Sequence, residues 1–429
     1  MKIDQLEIRG FRGVRELVLE FPERVTVLVG VNGVGKSSVL DAISKMASRL
    51  QGWITTQRSS GKHISSYDIN NDSSEAVLSL QVSHYDKRYR WILAKPRPGK
   101  KPSVYSNTQE AKDLAGVVLD GFQADPNASF PLIVHYSVNR NVIDVPLAPL
   151  KSQLKNQLAA YDGALYGQNN FRSFFQWFRT REDLENEMLR DQQGVRHGPS
   201  GGRSYSDRQL DAVRSAVEKM MPGYKGLRVR RSPNQMTIEK AAETLRVDQL
   251  SDGEKCLLAM VGDIARRLAT ANPNIKNPLR SEAIVLIDEI DLHLHPAWQW
   301  TVIPRLRSTF PNCQFVLSTH SPQILGELHN TEVRILNRNP QSHEIECFFP
   351  EYAKGLDSNL LLTLLMRTED RDPEVSAKLK QVFSLIDEDK LEEAKELVVQ
   401  IEKEIGYQIP ETRQAMSMIF SLEGPRTDK

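Results

Sequence analysis

The chain has 429 residues, enough for two or three lobes with separate hydrophobic cores. Its 56 basic and 55 acidic residues nearly cancel, to a formal net charge of +1, so any contact with nucleic acid must come from local basic patches. The three cysteines lack Cys-x-x-Cys spacing, which excludes a zinc knuckle and a disulfide framework, and no apolar run reaches the roughly 18 residues of a membrane span. With the charged start MKIDQLEIRG, these features predict a soluble, cytoplasmic protein without a membrane partner.

The N-terminal third is predicted to be rich in strands. Three short segments with many Val, Leu and Ile residues predict three strands: KIDQLEIRG, RELVLEF and RVTVLVG. The third leads into the glycine-rich stretch GVNGVGKSS, and KSSVLDAISKMASRLQ then has the apolar spacing of a helix. Around residues 75–98, EAVLSLQVSHY and KRYRWILAKPRP predict a β-meander. We assign residues 1–135 to a first lobe.

A helical segment follows. From PLIVHYSVNRNVIDVP onward the pattern becomes helical, most clearly in NFRSFFQWFRTREDLENEMLR, and the Gly- and Ser-rich GVRHGPSGGRSYS indicates a loop. The next helix, SDRQLDAVRSAVEKMM, is expected to begin at a capping box of Ser206 and Gln209. We interpret residues 136–224 as a helical insert. The second helix places four apolar side chains on one face, namely Leu210, Val213, Val217 and Met220.

The rest of the chain predicts a second lobe, residues 225–350, and a helical tail, residues 351–429. The lobe contains three probable strands (GLRVRRS, QMTIEK, TLRVDQ), a helix (GEKCLLAMVGDIARRLA) and two buried strands (AIVLI, CQFVLS) that a helix separates, which indicates parallel pairing. In the tail, SAKLKQVFSLIDEDKLEEAKELVVQIEKEIG predicts a helical hairpin with one apolar face. That face could pack on the chain's own body, the commoner outcome, or be offered to another protein. The predicted fold class is α/β, a mixed sheet with an N-terminal antiparallel β-meander and a parallel core.

Residues 30–37 satisfy the phosphate-loop pattern G-x-x-x-x-G-K-S between a predicted strand and a predicted helix. In such a loop, backbone N–H groups wrap the phosphates of a nucleotide. Lys36 is expected to reach the β and γ phosphates and Ser37 to ligate Mg²⁺, so ATP and Mg²⁺ are the predicted ligands. The predicted nucleotide-binding residues of the loop are Asn32, Gly33, Val34, Gly35, Lys36, Ser37 and Ser38.

Two later strands end in polar side chains. AIVLIDEID ends in Asp288, expected in the Mg²⁺ shell, and Glu289, expected to orient and deprotonate the attacking water. FVLSTHSP places His320 at a strand tip, where a donor to the γ-phosphate is needed. A charged turn and a structural histidine are the alternatives. The order of the motifs along the chain favours catalysis.

The stretch QLSDGEK opens a helix far along the chain from the phosphate loop. The free N–H groups of Ser251 to Gly253 and the serine hydroxyl form a second anion site. Because the phosphate loop already holds a nucleotide, this site is best explained if it closes over the γ-phosphate held by another copy, with ATP between two chains. Ser251 and Glu254 also fit an ordinary capping box, and both roles can hold at once.

Together, GVNGVGKS, LSDGEK, LIDEID and STH resemble the phosphate loop, signature, acidic strand and switch histidine of ABC-type ATPases. The opening LEIRGFRGVRELVLEF is similar to the SMC and RecF branch. DEIDLHLHPAWQW, FFQWFRTREDLENE and DEDKLEEAKELVVQIEKEIG resemble bacterial AAA_21 ATPases, which include the PtuA-type ATPases of Septu antiphage defence. The resemblance covers nearly the whole chain. It implies an ABC-type head that pairs with itself around ATP, as a dimer or a larger oligomer, and a separately encoded HNH nuclease partner of the PtuB type.

The resemblance also implies roles for individual residues. It places Arg12 near the nucleotide and Asp291 toward the partner chain. The usual Q-loop glutamine cannot be placed, because the corresponding strand end reads HYSVNR, so Asn139 or Arg140 could take part of its task. His293 and His295 near the acidic strand could suggest a transition-metal site. However, alternate residues of an extended segment point to opposite faces and would not meet at one ion.

Two functional hypotheses follow. The first is an ATP-binding regulatory subunit of a defence complex, and the alternative is a RecF-like DNA repair ATPase without a nuclease partner. A transporter subunit is disfavoured by the SMC-like start, and a nuclease with a Toprim domain by the short stretch of chain after His320. DNA contact stays open, because two basic patches could bind phosphates. They comprise Lys87, Arg88, Arg90, Lys95, Arg97, Lys100 and Lys101, interleaved with Tyr89 and Trp91, and then Arg228, Arg230 and Arg231.

Overall fold

A computed structural model describes residues 1–22, 24–125, 128–138, 157–166, 171–195, 205–356, 360–361 and 372–423. The chain forms two compact units, Met1–Asp357 and Ser358–Lys429. The division of the first unit into two lobes and an insert stays a prediction. None of the described helices has the length and apolar character that crossing a membrane requires.

The N-terminal part forms an antiparallel sheet that confirms the predicted meander. Its strands and helices are β1 (Lys2–Phe11), β2 (Val14–Glu20), β4 (Glu75–His84), β5 (Lys87–Pro96), α1 (Lys36–Thr56) and α2 (Gln109–Ala124). The strand order is β2-β1-β4-β5. Trp91 of β5 is buried, and its indole N–H donates to the carbonyl of Met46 in α1 (3.0 Å), so α1 packs on this sheet. Helix α2 was not predicted.

A six-stranded sheet lies at the centre of the first unit. Its strands are β3 (Val25–Val29), β6 (Leu132–Tyr136), β10 (Ala283–Ile287), β11 (Cys313–Ser318), β12 (Val333–Arg338) and β13 (Ile345–Phe348). In the order β13-β12-β3-β11-β10-β6 all pairs are parallel except β12 with β13. Every residue of β3, β6, β10 and β11 is buried, as expected for parallel strands covered on both faces. The predicted fold class and the parallel pairing of β10 with β11 are confirmed.

Strand β6 corrects the sequence analysis. Residues 132–136 begin the stretch whose pattern was interpreted as helical, although its HYSVNR segment was also compared with a strand end, and they form the edge strand beside β10. The run Leu-Ile-Val-His-Tyr is short and β-branched in its centre, which suits a buried strand better than a helix. Asn139 and Arg140, which follow it, lie outside the described residues.

The region between β6 and β10 contains the predicted helices and three-stranded sheet. Its elements are α3 (Phe171–Val195), α4 (Arg208–Met220), β7 (Tyr224–Arg231), β8 (Asn234–Lys240), β9 (Glu243–Arg246) and α5 (Asp252–Ala271). The four apolar residues predicted on one face of α4 are all buried. Two further helices, α6 (Pro296–Thr309) and α7 (Pro322–Leu325), follow β10 and β11.

The predicted capping box of α4 was wrong. The N-cap is Asp207, whose carboxylate accepts from the backbone N–H groups of Gln209 (2.9 Å) and Leu210 (3.1 Å). The same carboxylate pairs with Arg181 of α3 at 2.7 Å. An ionised cap binds these N–H groups more strongly than a hydroxyl does, so the helix begins one residue later. The hydroxyl of Ser206 instead donates to Asp211.

The C-terminal unit has a hydrophobic core of its own. The predicted hairpin is confirmed as α8 (Pro373–Asp387) and α9 (Leu391–Ile405), and an unpredicted helix, α10 (Pro410–Glu423), packs on both. The apolar stripe therefore contacts helices of its own unit. Its core residues are Leu379, Val382, Ile386, Ala394, Val398, Ile401, Ile409, Ala415 and Ile419.

Candidate functional site

The phosphate loop turns between β3 and α1 at the carboxyl end of the central sheet. Gly30 must be glycine, because a Cβ atom there would lie 2.3 Å from the carbonyl oxygen of Leu336 in β12. Gly35, with φ 111°, stands at the N-cap of α1, so the first N–H groups of the helix point into the loop. This geometry agrees with the predicted phosphate site. Asn32, Gly33 and Ser37 are exposed, Gly35 and Ser38 are partly exposed, and Val34 and Lys36 are buried.

Lys36 is a buried cation at this loop. Its side chain is 5% exposed, and within the described part of the chain its ammonium donates only to the carbonyls of Gly30 (2.8 Å) and Val31 (3.2 Å). Burial lowers the pKa of Lys36, and the carboxylates of Asp288, Glu289 and Asp291 oppose that shift. The three acidic residues therefore lie within electrostatic range of Lys36. Such a cation gains stability when a phosphate approaches.

The acidic residues follow β10 and are held by the neighbouring strand β11. The hydroxyl of Ser318 donates to Asp288 Oδ1 (2.5 Å) and accepts from the backbone N–H of Glu289 (2.8 Å). Glu289 has a left-handed backbone (φ 48°), which turns the chain sharply after the strand. One serine thus bonds both to the carboxylate of Asp288, the predicted metal ligand, and to the backbone of Glu289, the predicted general base. Ser318 was not predicted as a site residue, although its place at the end of β11 was a usable signal.

Asp291 anchors the segment that carries His320. Its Oδ1 accepts from the hydroxyl of Thr319 (2.6 Å) and from the backbone N–H of His320 (3.2 Å). Burial and the nearby Lys36 lower the pKa of His320, so its imidazole is neutral at physiological pH. A neutral imidazole can donate one hydrogen bond to a phosphate oxygen. The expected contact of Asp291 with a partner chain stays a prediction, and the structure adds this intrachain role.

Arg12 joins the first sheet to α1. Its guanidinium donates to Asp41 (2.5 Å), four residues after Ser37, and to Asp68 (2.9 Å). Burial alone would raise the pKa of Asp68, but bonds from Ser65, Arg12 and Lys45 outweigh burial and lower the pKa to about 2. Beside Arg12 a cavity of about 450 Å³ opens, lined by Gly13, Arg15, Tyr67, Asn70 and Arg338 among others.

The predicted signature turn is exposed and sits on the loop after the acidic strand. Ser251 is the N-cap of α5, and the expected capping box with Glu254 is confirmed. A Cβ atom on Gly253 would lie 2.0 Å from the carbonyl oxygen of His293, so only glycine permits this contact. Ser251 and Asp252 are exposed. The signature turn is therefore tied to the acidic strand by backbone contact while its first residues face solvent.

Glu254 also connects the signature turn to the three-stranded sheet. It accepts from the hydroxyl of Tyr224 and from Lys240 (3.0 Å), both on that sheet. Burial would raise the pKa of Glu254, but these bonds and those with Ser251 lower it to about 2. The carboxylate of this capping box therefore stays ionised throughout the physiological range.

The end of β6 holds two residues that sequence reasoning missed. The backbone carbonyl of Tyr136 accepts from the N–H of Asp288 (2.8 Å). His135 is buried, 4.0 Å from Asp41, and burial lowers its pKa to about 4. The sequence analysis compared HYSVNR with a strand end but predicted no pairing of that strand with β10, so these contacts were not found.

The first basic patch lies on strand β5 and the residues that follow it. Tyr89 and Trp91 are buried and cannot stack on bases, and Arg90 pairs with Glu7 (2.7 Å). DNA contact stays a prediction.

The two histidines after the acidic strand lie in different places. His293 is exposed in a turn, and His295 caps α6 by accepting from the N–H of Ala297 (3.2 Å).

A phosphate loop with a buried lysine, an acidic strand end beside it and a capped signature helix on one mixed sheet define an ATPase of the ABC type. The chain belongs to the AAA_21 family, described as "AAA domain, putative AbiEii toxin, Type IV TA system", which matches residues 25–326. The predicted resemblance to this family is thereby confirmed.

The chain is similar to a retron ATPase and to a Septu protein. It is 30% identical over 426 residues to the Retron Ec83 probable ATPase of Escherichia coli, covering 87% of this chain and 78% of that protein. It is 25% identical over 369 residues to the Septu protein PtuA of Bacillus mycoides (strain KBAB4), covering 84% and 44%. The SMC head domain from Thermotoga maritima superposes with a TM-score of 0.44 at 15% identity, over 82% of this chain and 100% of that one.

Proposed function

We propose that this chain is the ATP-binding regulatory subunit of an antiphage defence complex. Two copies would close around ATP, and the nucleotide state would set the activity of a partner HNH nuclease. The relatives named as retron and Septu proteins support the defence setting. The observation that carries the proposal is the exposed start of α5, a second anion-binding turn that contacts the loop after Glu289 and presents Ser251 to solvent.

The residues of the phosphate loop fit magnesium-bound ATP. The N–H groups at the start of α1 and the Lys36 ammonium would hold the β and γ phosphates. Ser37 and Asp288 would hold Mg²⁺, which supplies charge neutralisation between the phosphates when it is bound. Ser318 keeps Asp288 oriented for this task.

Hydrolysis would depend on Glu289 and His320. Glu289 would take a proton from the attacking water. Ser318 fixes its backbone, and its carboxylate lies within electrostatic range of Lys36, which would hold the γ-phosphate that the water attacks. His320, held by Asp291, would donate to the γ-phosphate. The nucleoside would enter the cavity beside Arg12, whose guanidinium is already directed by Asp41 and Asp68.

Glu289→Gln tests the pairing of two copies. The variant should bind ATP, lose turnover by on the order of 10²–10³-fold, since general-base catalysis supplies about that much, and accumulate as an ATP-dependent dimer on a sizing column. Ser251→Arg in the same background should block the dimer without weakening ATP binding. Ser206→Arg, an exposed serine before another helix, is the matched control and should still dimerise. Equal sizes of the Glu289→Gln variant with and without ATP would refute the pairing.

The partner is tested separately. The proposal requires an HNH protein encoded beside this chain, which should co-purify with it, and DNA cleavage by the pair should change when ATP is added. The Lys36→Ala variant, which should not bind ATP, serves as the control. Absence of co-purification together with ATP-independent cleavage would remove the regulatory role and leave the ATPase.

A further inference from the structure

Tyr136 touches two different parts of the ATPase head. Its backbone carbonyl accepts from the N–H of Asp288 (2.8 Å), and its hydroxyl donates to Asp263 Oδ2 in the middle of α5 (2.9 Å). The side chain is 1% exposed, so neither bond competes with bulk water. Tyr136 therefore bonds both to the backbone of Asp288, the predicted metal ligand, and to the signature helix α5.

Asp263 is the centre of a buried ion-paired cluster. Arg266 donates to its Oδ1 (2.6 and 3.0 Å), and Arg267 donates to its Oδ2 (2.7 Å). Asp263 lies twelve residues after Ser251 on the same helix, about 18 Å along the axis at 1.5 Å per residue. Because a packed helix moves as one body, a shift at Asp263 is passed to the signature turn.

The opposite side of the cluster fixes the edge of the central sheet. Arg267 also donates to the carbonyls of Ala160 (2.6 Å) and Asp162 (2.9 Å), and the N–H of His135 donates to the carbonyl of Ala164 (2.7 Å). Segment 157–166 therefore bonds to both β6 and α5. The strand end that contacts Asp288 and the signature helix are connected by polar bonds on both sides.

We propose that Tyr136 is a positioning residue that couples Asp288, in the chain's own ATP site, to Ser251, which completes the ATP site of another copy. Its two bonds form a continuous path between these sites inside one chain. The inference rests on the proposed nucleotide site. When magnesium and a nucleotide are bound, the backbone of Asp288 would shift the end of β6 through its bond to Tyr136, and the tyrosine hydroxyl would transmit the shift to α5. A hydrogen bond to a carboxylate, about 1.5–3 kcal/mol, is of the size of typical coupling energies.

Hydrogen exchange in the full chain with magnesium-bound ADP tests the path inside one copy. ADP fills the chain's own phosphate loop but lacks the γ-phosphate that a second copy would clasp. With Tyr136 present, ADP should slow exchange of the amides in the first turns of α5, Asp252 to Met260, by about fivefold or more, the lower end of typical coupling. In Tyr136→Phe this response should vanish while calorimetric affinity for ADP changes by less than about twofold.

Tyr161→Phe is the matched control. Tyr161 is equally buried, and its hydroxyl donates to Pro131 at the other end of β6. This variant should lose similar thermal stability yet keep the response. The inference is overturned if Tyr136→Phe keeps the response, if both variants lose it, or if the wild-type chain binds ADP without responding. Failure of the wild-type chain to bind ADP at all would overturn the proposed nucleotide site and this inference with it.

Discussion

Two buried charges of the first unit, Asp263 in α5 and Lys36 at the start of α1, have contrasting surroundings. Asp263 meets two guanidinium groups and a tyrosine hydroxyl at 2.6–3.0 Å. Arg267 and Arg266 lower the pKa of Asp263 despite its complete burial. Lys36 is almost as buried, yet among the residues that the structure describes it donates only to two carbonyls of its own loop, and burial lowers its pKa.

The comparison distinguishes a buried ion pair that stabilises the fold, at Asp263, from a site that can bind a ligand, at Lys36. A buried charge with matched partners is already neutralised, so a ligand would gain little there. Lys36 hydrogen-bonds to carbonyl oxygens and has three carboxylates within electrostatic range, so its charge is still available to a phosphate, and the loop N–H groups around it favour the same ligand. The four predictions below test this contrast, beginning with the largest expected effect.

Asp263→Ala should be the most damaging change to stability. It leaves Arg266 and Arg267 buried without their counter-charge, and breaking such a pair costs about 3–5 kcal/mol. Chemical denaturation of the purified variant measures the loss in free energy of unfolding. Asp211→Ala, on the exposed side of α4, is a control that should cost less than about 0.5 kcal/mol. Equal losses in free energy of unfolding for the two variants would contradict the stabilising role assigned to the Asp263 ion pairs.

Lys36→Met should weaken ATP binding strongly and change stability little. ATP affinity should fall by about 100-fold or more, since a charge-assisted contact to phosphate worth about 3 kcal/mol is lost. The free energy of unfolding without nucleotide should fall by less than about 1 kcal/mol, because Met keeps the apolar stem and removes a poorly solvated charge. Calorimetry with ATP and denaturation without it give the two numbers. A large loss of stability in the apoprotein would show that Lys36, like Asp263, mainly stabilises the fold.

His135 predicts a dependence of stability on pH. Burial lowers its pKa from 6.5 to about 4, and the groups that face it are Asp41 of α1, Lys62 and Asp288. Between about pH 6.5 and pH 4 the unfolded chain binds a proton that the folded chain does not, so stability is full above that window and falls as pH falls through it. The contribution is up to about 3 kcal/mol. His135→Asn should flatten that part of the pH profile, whereas His343→Asn on the surface should leave its shape unchanged.

Gly253→Ala should give the smallest loss. The new Cβ atom would meet the His293 carbonyl at 2.0 Å, so the signature turn or the loop must move, at a cost of about 1–3 kcal/mol. ATP-dependent dimerisation in the Glu289→Gln background should weaken more than ATP binding. Gly116→Ala in α2, where a Cβ atom meets nothing within 4 Å, should be neutral or stabilising by about 0.5–1 kcal/mol. A neutral Gly253→Ala variant would show that the turn and the loop are not in contact.

Much of the fold and site could be predicted because local sequence determines it. The phosphate loop, the capping box of α5 and the buried strand before Asp288 each depend on residues a few positions apart. The pairing of β10 with β11 followed from the helix between them. The apolar faces of α4 and of the tail hairpin were readable from their spacing.

The features that were missed depend on contacts across long sequence separations. Strand β6 is recognisable only beside β10, about 150 residues later, and the bond of Tyr136 to Asp263 spans 127 residues. Ser318 gained its role from the adjacent strand, and the N-cap of α4 was decided by Arg181 on another helix. No short-range pattern contains these partners.

The C-terminal unit buries its apolar stripe among α8, α9 and α10, while Val399, Phe420 and Leu422 of the same helices are exposed. Because this core lies among the three helices of its own unit, their exposed positions can be substituted or recharged without opening a void in it. Among relatives with the same phosphate loop, we expect sequence divergence to be greatest on the outer faces of these helices.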